Sequence, residues 1–370
     1  MMMSFARLTA FFVLLAAAPA MAATEEDYLA LNKSVVAGHV LPRIKAFADA
    51  MSALPPAAER ACASRNATDI RALQAAFGKA MDGWESIQHV RFGPVEFFSR
   101  GSRIFFWPDP RNSVGRQLGE LLTKKAAGDI TEAAIAKDSV AVQGFPALER
   151  LLYDEGAAAK LATKAAEADK ACAAARAIAA NLATMARDMN AEWSEGADAY
   201  ALDLEKAGPE HVRFMRHREV TLELFKSLYN AVELVADHKL ARPLGASLQA
   251  ARPKLAEAWR SERSLINIRL NLAAAQALYA GEGKGESPST FLRDVAGERE
   301  LDELLTRAFA QTLATAQGIA GTLEAGVGDA RARPQFDKLS REVKALKALL
   351  AQRLAPALGV PVGFNALDGD

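Results

Sequence analysis

What this chain lacks narrows it first. Its 370 residues include two cysteines, five histidines and 7% aromatics. Lys plus Arg and Asp plus Glu each number 45, so the formal net charge is zero. A balanced surface gives no electrostatic footprint for nucleic acid or for an anionic membrane. Neither cysteine has a neighbour at metal-finger spacing, which excludes a zinc site of that type. The histidines, His39, His89, His211, His217 and His238, never stand three or four apart, so no two share a helical turn. There is no His-Glu-x-x-His stretch, no Gly-x-Ser-x-Gly elbow and no glycine-rich phosphate loop. No strand pair stands out. Beyond the first residues, no apolar run is long enough to span a bilayer.

What remains is rich in Ala and Leu and 51% hydrophobic, a composition that favours helix. The start reads as a cleavable export signal. Arg7 supplies the positive charge, Leu8 to Ala18 the apolar run, and Ala20-Met21-Ala22 the small-x-small cleavage site. Residues 1–23 are therefore read as removed. No cysteine follows the site, so no lipid anchor is expected. The expected product is a soluble exported protein with no membrane span, periplasmic in a bacterium. In that oxidising compartment Cys62 and Cys172 are expected to form a disulfide, the alternative being two buried free thiols.

Apolar residues recur at helical spacing along most of the rest. Leu29, Val36, Val40, Ile44 and Phe47 mark a helix over 25–53, with a kink expected at Pro42. Ile70, Leu73, Phe77, Met81, Trp84 and Ile87 mark another over 68–90, capped by Thr68 or Asn66. Cys172, Ile178, Leu182, Met185, Met189 and Trp193 mark a third within 157–195. Long helices also run over 209–240, 255–281 in pieces, 297–323 and 335–354. Gly196 to Gly208 reads as a hinge. The fold class is all-α, as two helical-bundle domains over 24–205 and 206–370.

Two stretches break the pattern. Residues 91–111 are rich in Gly, Pro and aromatics and lack helical periodicity. They read either as a plug for a bundle end or as a pocket wall. Arg91, Asp109 and Arg111 punctuate them. The second stretch is Gly144-Phe145-Pro146-Ala147-Leu148-Glu149-Arg150-Leu151-Leu152-Tyr153. Pro146 suits the start of a helix, and Leu148, Leu151 and Leu152 should face a core. Glu149 then stands beside that face. On the residues alone it reads as a solvated carboxylate or one paired with an arginine. His89, just before the first stretch, reads as a surface or satisfied helix residue.

These segments together resemble the imelysin family, in its iron-uptake-associated branch. Arg91-Phe92-Gly93-Pro94 resembles the family's Arg-Phe-Gly segment, and Phe106 to Arg111 the Trp-Pro stretch after it. Gly144 to Tyr153 resembles the Gly-x-His-x-x-Glu motif. Gly363 to Asp370 is similar to the branch's ending. The resemblance implies two helical bundles related by duplication, a site near their interface around the motif, and an association with iron uptake; it also brings a metallopeptidase assignment. Here the motif's His position is Pro146, which cannot ligate a metal. The resemblance therefore points to non-catalytic binding of iron or an iron-linked ligand, with envelope iron-uptake components as partners. A helical interaction module without small ligand is the alternative, and a metallopeptidase the less favoured one. The candidate ligand-binding residues are Gly144, Pro146, Glu149, Tyr153, Arg91, Asp109 and Arg111, with Glu149 also the candidate metal ligand. Arg91 and Arg111 are expected to orient Glu149 or an anion by forked hydrogen bonds. Asp237 and Arg260 are candidates from the second half, and Asp368 a further acid that could converge on the site.

Overall fold

The computed structural model describes residues 23–360 except Lys284. The expected export signal at 1–23, all but its last residue, and the ending at 363–370, with Asp368, lie outside the described residues. Among those described there is helix and no strand. Eleven principal helices can be followed: α1 Glu25–Val35, α2 Leu41–Ser52, α3 Leu54–Ser64, α4 Ala67–Ile87, α5 Ser113–Lys124 and α6 Phe145–Tyr153, then α7 Ala166–Ser194, α8 His217–Glu233, α9 Ser264–Ala280, α10 Arg299–Gly318 and α11 Arg333–Leu349.

The apolar stripes explain the packing. All six marked positions on α4 and all six on α7 are buried. Their faces meet those of α2 and α3 in one four-helix arrangement. Cys62 on α3 and Cys172 on α7 are joined, with Cα atoms 5.6 Å apart. The bridge closes a 110-residue separation, for which chain entropy allows roughly 4–5 kcal/mol as an upper figure. In the second half α8, α9, α10 and α11 pack on one another in the same way. Among the contacts that tie the sets together, α9 lies on α4, and α1 lies on α8.

The expected kink at Pro42 sits slightly earlier. A π-helical turn over Val36–Val40 separates α1 from α2, and Pro42 falls in the first turn of α2, where its missing N–H costs nothing. Asn66 rather than Thr68 caps α4, accepting from Asp69 N at 2.8 Å. The segment from Thr131 to Val142 holds one helical turn, Glu132–Ile135, capped by Thr131. The expected helix over 209–240 begins only at His217 and ends in a π-helical stretch, Leu234–Leu240. Among the described residues no helix is long and apolar enough to cross a membrane.

Candidate functional site

Helix α6 is placed by close contact at its start. A Cβ on Gly144 would stand 2.2 Å from the Ile104 carbonyl oxygen and 2.3 Å from that of Arg103. No side chain fits there, so the end of the aromatic loop presses directly on the helix. Pro146 occupies the first turn, where a missing N–H is harmless. Leu148, Leu151 and Leu152 are buried as their spacing predicts. So is Glu149, at 5% exposure, which corrects the solvated or arginine-paired reading.

Glu149 is held by a serine. Its Oε1 accepts from the Ser261 amide at 2.9 Å and from Ser261 Oγ at 2.7 Å. Ser261 reaches it from a short turn, Trp259–Ser261. The turn is flanked by Ala258 and Glu262, non-glycine residues at φ 49° and 55°. Such backbone is held only where surrounding contacts over-determine it. Glu149 Oε2 has no hydrogen bond among the described residues. Burial raises the Glu149 pKa, and the two Ser261 bonds pull the other way.

Beside Glu149 lies a cavity of about 320 Å³. Residues 105–107 (Phe, Phe and Trp) form one wall, with Phe77 and Met81 of α4 behind it. Trp259 stands on the second-half side. Two carboxylates and four cations line the same space, but they are not equally free. Asp109 accepts from the Ser113 and Val114 amides at 2.8 Å each, so both of its oxygens cap α5. Arg150 bonds Asn112 and Asp154, and Arg260 bonds Asp154 and stacks on Trp259 with 4.2 Å to the ring centroid. Lys254 Nζ lies 5.4 Å from the same centroid. Arg242 has no hydrogen-bond or ion-pair partner among the described residues.

Of the sequence candidates, Pro146, Glu149 and Asp109 line this cavity, and so does Arg260. Gly144 sets the helix that carries Pro146 and Glu149. Tyr153 is turned away: its hydroxyl donates to the Gln74 carbonyl at 3.1 Å and its ring packs on Phe77. Burial pushes its pKa up to about 12. Arg91 and Arg111 are exposed and neither lines the cavity. The expected orienting arginines are thus replaced by Ser261. Asp237 pairs with Lys347. Sequence reasoning passed over Ser261, Trp259, Lys254 and Arg242. The turn that presents Trp259 and Ser261 uses no glycine, so its residue types do not announce it.

Two further buried polar groups lie outside the cavity. Lys239 Nζ stands 2.5 Å from both Glu85 Oε2 and Glu257 Oε2, all three at 1% exposure or less. Asn271 and Asn267 donate to those carboxylates, at 3.0 Å each. Burial, then the neighbouring Glu257, raises the Glu85 pKa. The second group is a histidine pair 50 residues apart in sequence, invisible to a one-turn search. His39 Nδ1 lies 3.1 Å from Glu282 Oε2, and His39 Nε2 lies 2.9 Å from His89 Nε2. A carboxylate only accepts, so His39 Nδ1 donates to it and His89 Nε2 donates to His39 Nε2. Both rings are buried, which corrects the surface reading of His89.

The cavity does not offer the donor set of a bare-ion site. Pro146 has no ligating atom, one Glu149 oxygen is engaged by Ser261, and Asp109 is spent on α5. Among the described residues no group of three or more His, Cys, Asp or Glu is arranged to hold a metal.

The fold and cavity define an all-helical protein with a small, basic, aromatic-walled pocket set between residues of both chain halves. The Imelysin family model matches residues 40–352, and the chain belongs to that family. Its structure is similar to that of an imelysin-like protein from Psychrobacter arcticum 273-4, with a TM-score of 0.72 and 22% identity over 93% of this chain and 99% of that one. It is equally similar to an iron-regulated protein A precursor from Parabacteroides distasonis ATCC 8503, TM-score 0.72 and 16% identity over 90% and 96%. In sequence it is 24% identical over 245 residues to iron-regulated protein A of Synechococcus elongatus, covering 66% of this chain and 62% of that protein.

Proposed function

We propose that this chain is an exported, non-catalytic binding protein of envelope iron uptake. Its ligand, iron or an iron-linked molecule, is held in the cavity against Glu149, between bundles formed by 24–205 and 206–370. The observation that carries this reading is a buried carboxylate with one oxygen unbonded at a cavity walled from both halves of the chain. Membership of the Imelysin family and the name of the Synechococcus relative support the link to iron. The export signal at 1–23 supports an envelope location, testable by N-terminal sequencing of the periplasmic fraction. A peptidase reading has little support, since Pro146 stands where the motif has its histidine.

The test is calorimetric titration of the full mature chain with ferric, ferrous and zinc ions and with ferric chelates, beside Glu149→Gln. Iron or an iron complex should bind, and the variant should lose most of that affinity. No binding of any iron species would overturn the reading. Weight would then pass to a helical interaction module, for which exposed Phe98 and Val212, at 75% and 99%, supply candidate contacts.

A further inference from the structure

The cavity's own chemistry narrows the ligand further than iron does. Its volume, about 320 Å³, is at the small end of ligand pockets and suits a molecule of one or two rings. Its loop wall is planar and apolar. Phe106 and Trp107 are only half-buried, and the ring nearest Trp107 is that of His238, edge-on at 6.4 Å. Aromatic faces left open in this way accept another flat ring by offset stacking. Trp259 differs: its ring carries Lys254 and Arg260, which fixes where those cations stand.

Charge points the same way. Asp109 is consumed by α5, and Glu149 shares one oxygen with Ser261. Among the described residues Arg242 has no ion-pair or hydrogen-bond partner, and Lys254 none beyond the Trp259 ring. A cationic ligand would meet unneutralised positive charge here. An anionic one would supply the missing partner, and forked bonding to a guanidinium favours a planar carboxylate or vicinal oxygens.

We propose that the cavity takes a small planar aromatic anion, an aryl carboxylate or catecholate of the class that chelates ferric iron, stacked on Phe106 and Trp107 and held at its anionic edge by Arg242 and Lys254. The proposal rests on the binding reading above and names the ligand class of that same site. Burial biases Glu149 toward its neutral form. A carboxyl held toward its neutral form repels an approaching anion less. The free aromatic acid and its ferric complex share this chemistry.

The test titrates the full mature chain with five probes: dihydroxybenzoate, its ferric complex, cyclohexanecarboxylate, dopamine and ferric acetohydroxamate. Dihydroxybenzoate or its ferric complex should bind. Cyclohexanecarboxylate, which has the charge without the flat ring, and dopamine, a catechol of the wrong charge, should bind at least about tenfold more weakly. Arg242→Gln and Lys254→Gln should each weaken the aryl acid by about tenfold, with unchanged thermal midpoints. Equal affinity for the iron-free acid and its complex identifies the acid as the ligand; tighter binding of the complex identifies the chelate. Binding of ferric acetohydroxamate or bare iron without any aryl acid overturns this proposal and leaves the iron reading standing. Failure of every probe and every iron species overturns both.

Discussion

Two buried carboxylates lie near one another in sequence partners but have opposite surroundings. Glu257 and Ser261 are four residues apart. The first closes a charge cluster with Lys239 and Glu85; the second holds Glu149 at the edge of a cavity. Helix α4 serves both, giving Glu85 to one and Phe77 and Met81 to the other. In the cluster the ammonium meets two carboxylates and asparagines satisfy more of their lone pairs. At Glu149 the partners are the neutral hydroxyl and amide of Ser261, one oxygen is left over, and two of the four nearby cations, Arg242 and Lys254, are spare. Burial of a charged group therefore says little by itself. Glu85 Oε1 is also left without a hydrogen bond among the described residues, so an unbonded oxygen does not mark a site; what distinguishes a site from a strut is the charge left uncompensated beside it.

That contrast can be broken at the cluster first. Lys239→Met should cost about 3–5 kcal/mol, because two buried carboxylates lose their counter-charge. Replacing all three, as Glu85→Gln with Lys239→Met and Glu257→Gln, should recover part of that loss in denaturant titrations. A triple variant as unstable as the single one would show that packing, and not charge, is at stake.

The histidine pair gives the next effect. Burial, with Arg43 adding to it, lowers the His39 pKa to about 3, and burial lowers that of His89 as well. Both folded values lie below the ordinary one near 6.5. Below that pH the unfolded chain takes up protons that the folded chain refuses, so stability is full above about 6.5 and falls on acidification. Each ring contributes a slope of up to ~1.4 kcal/mol per pH unit. Denaturation midpoints from pH 7 to pH 4 should show it, and His89→Gln should flatten it. A wild-type profile level between pH 7 and 5 would dismiss the account.

At the cavity the effects should be smaller and shift from stability to binding. Ser261→Ala removes one bond to Glu149 and should cost about 1–3 kcal/mol. Arg242→Gln should change stability by no more than about 0.5 kcal/mol, while still weakening the ligand. If Arg242→Gln proved as damaging as Lys239→Met, the distinction between spent and spare cations would fail.

Much of the frame was legible in sequence because helical periodicity reports burial directly. The stripes on α4 and α7 came through in this way, and the Cys62–Cys172 bridge through an even cysteine pair in a chain read as exported. Glu149 was legible as a position but not as a state. Its burial depends on a turn more than a hundred residues away, held by Ala258 and Glu262 in a conformation their residue types do not announce. The Lys239 cluster was illegible for the same reason. Glu85, Lys239 and Glu257 each look like ordinary helix-surface charges until long-range packing brings them together.

Helix α1 has a consequence for how the chain is made. It precedes α2, α3 and α4 in the chain, yet it packs chiefly on α8. Asn32, buried on α1, donates to the His217 carbonyl at 2.7 Å and accepts from Thr221 Oγ1 at 2.7 Å. Tyr28 donates to the Leu358 carbonyl, 330 residues on. Without α8, α1 loses the main surface on which it buries its apolar face, and an eleven-residue helix is marginal alone in water. The four helices around the disulfide can assemble earlier from contacts nearer in sequence. Docking of α1 therefore fastens the two ends of the described chain to each other.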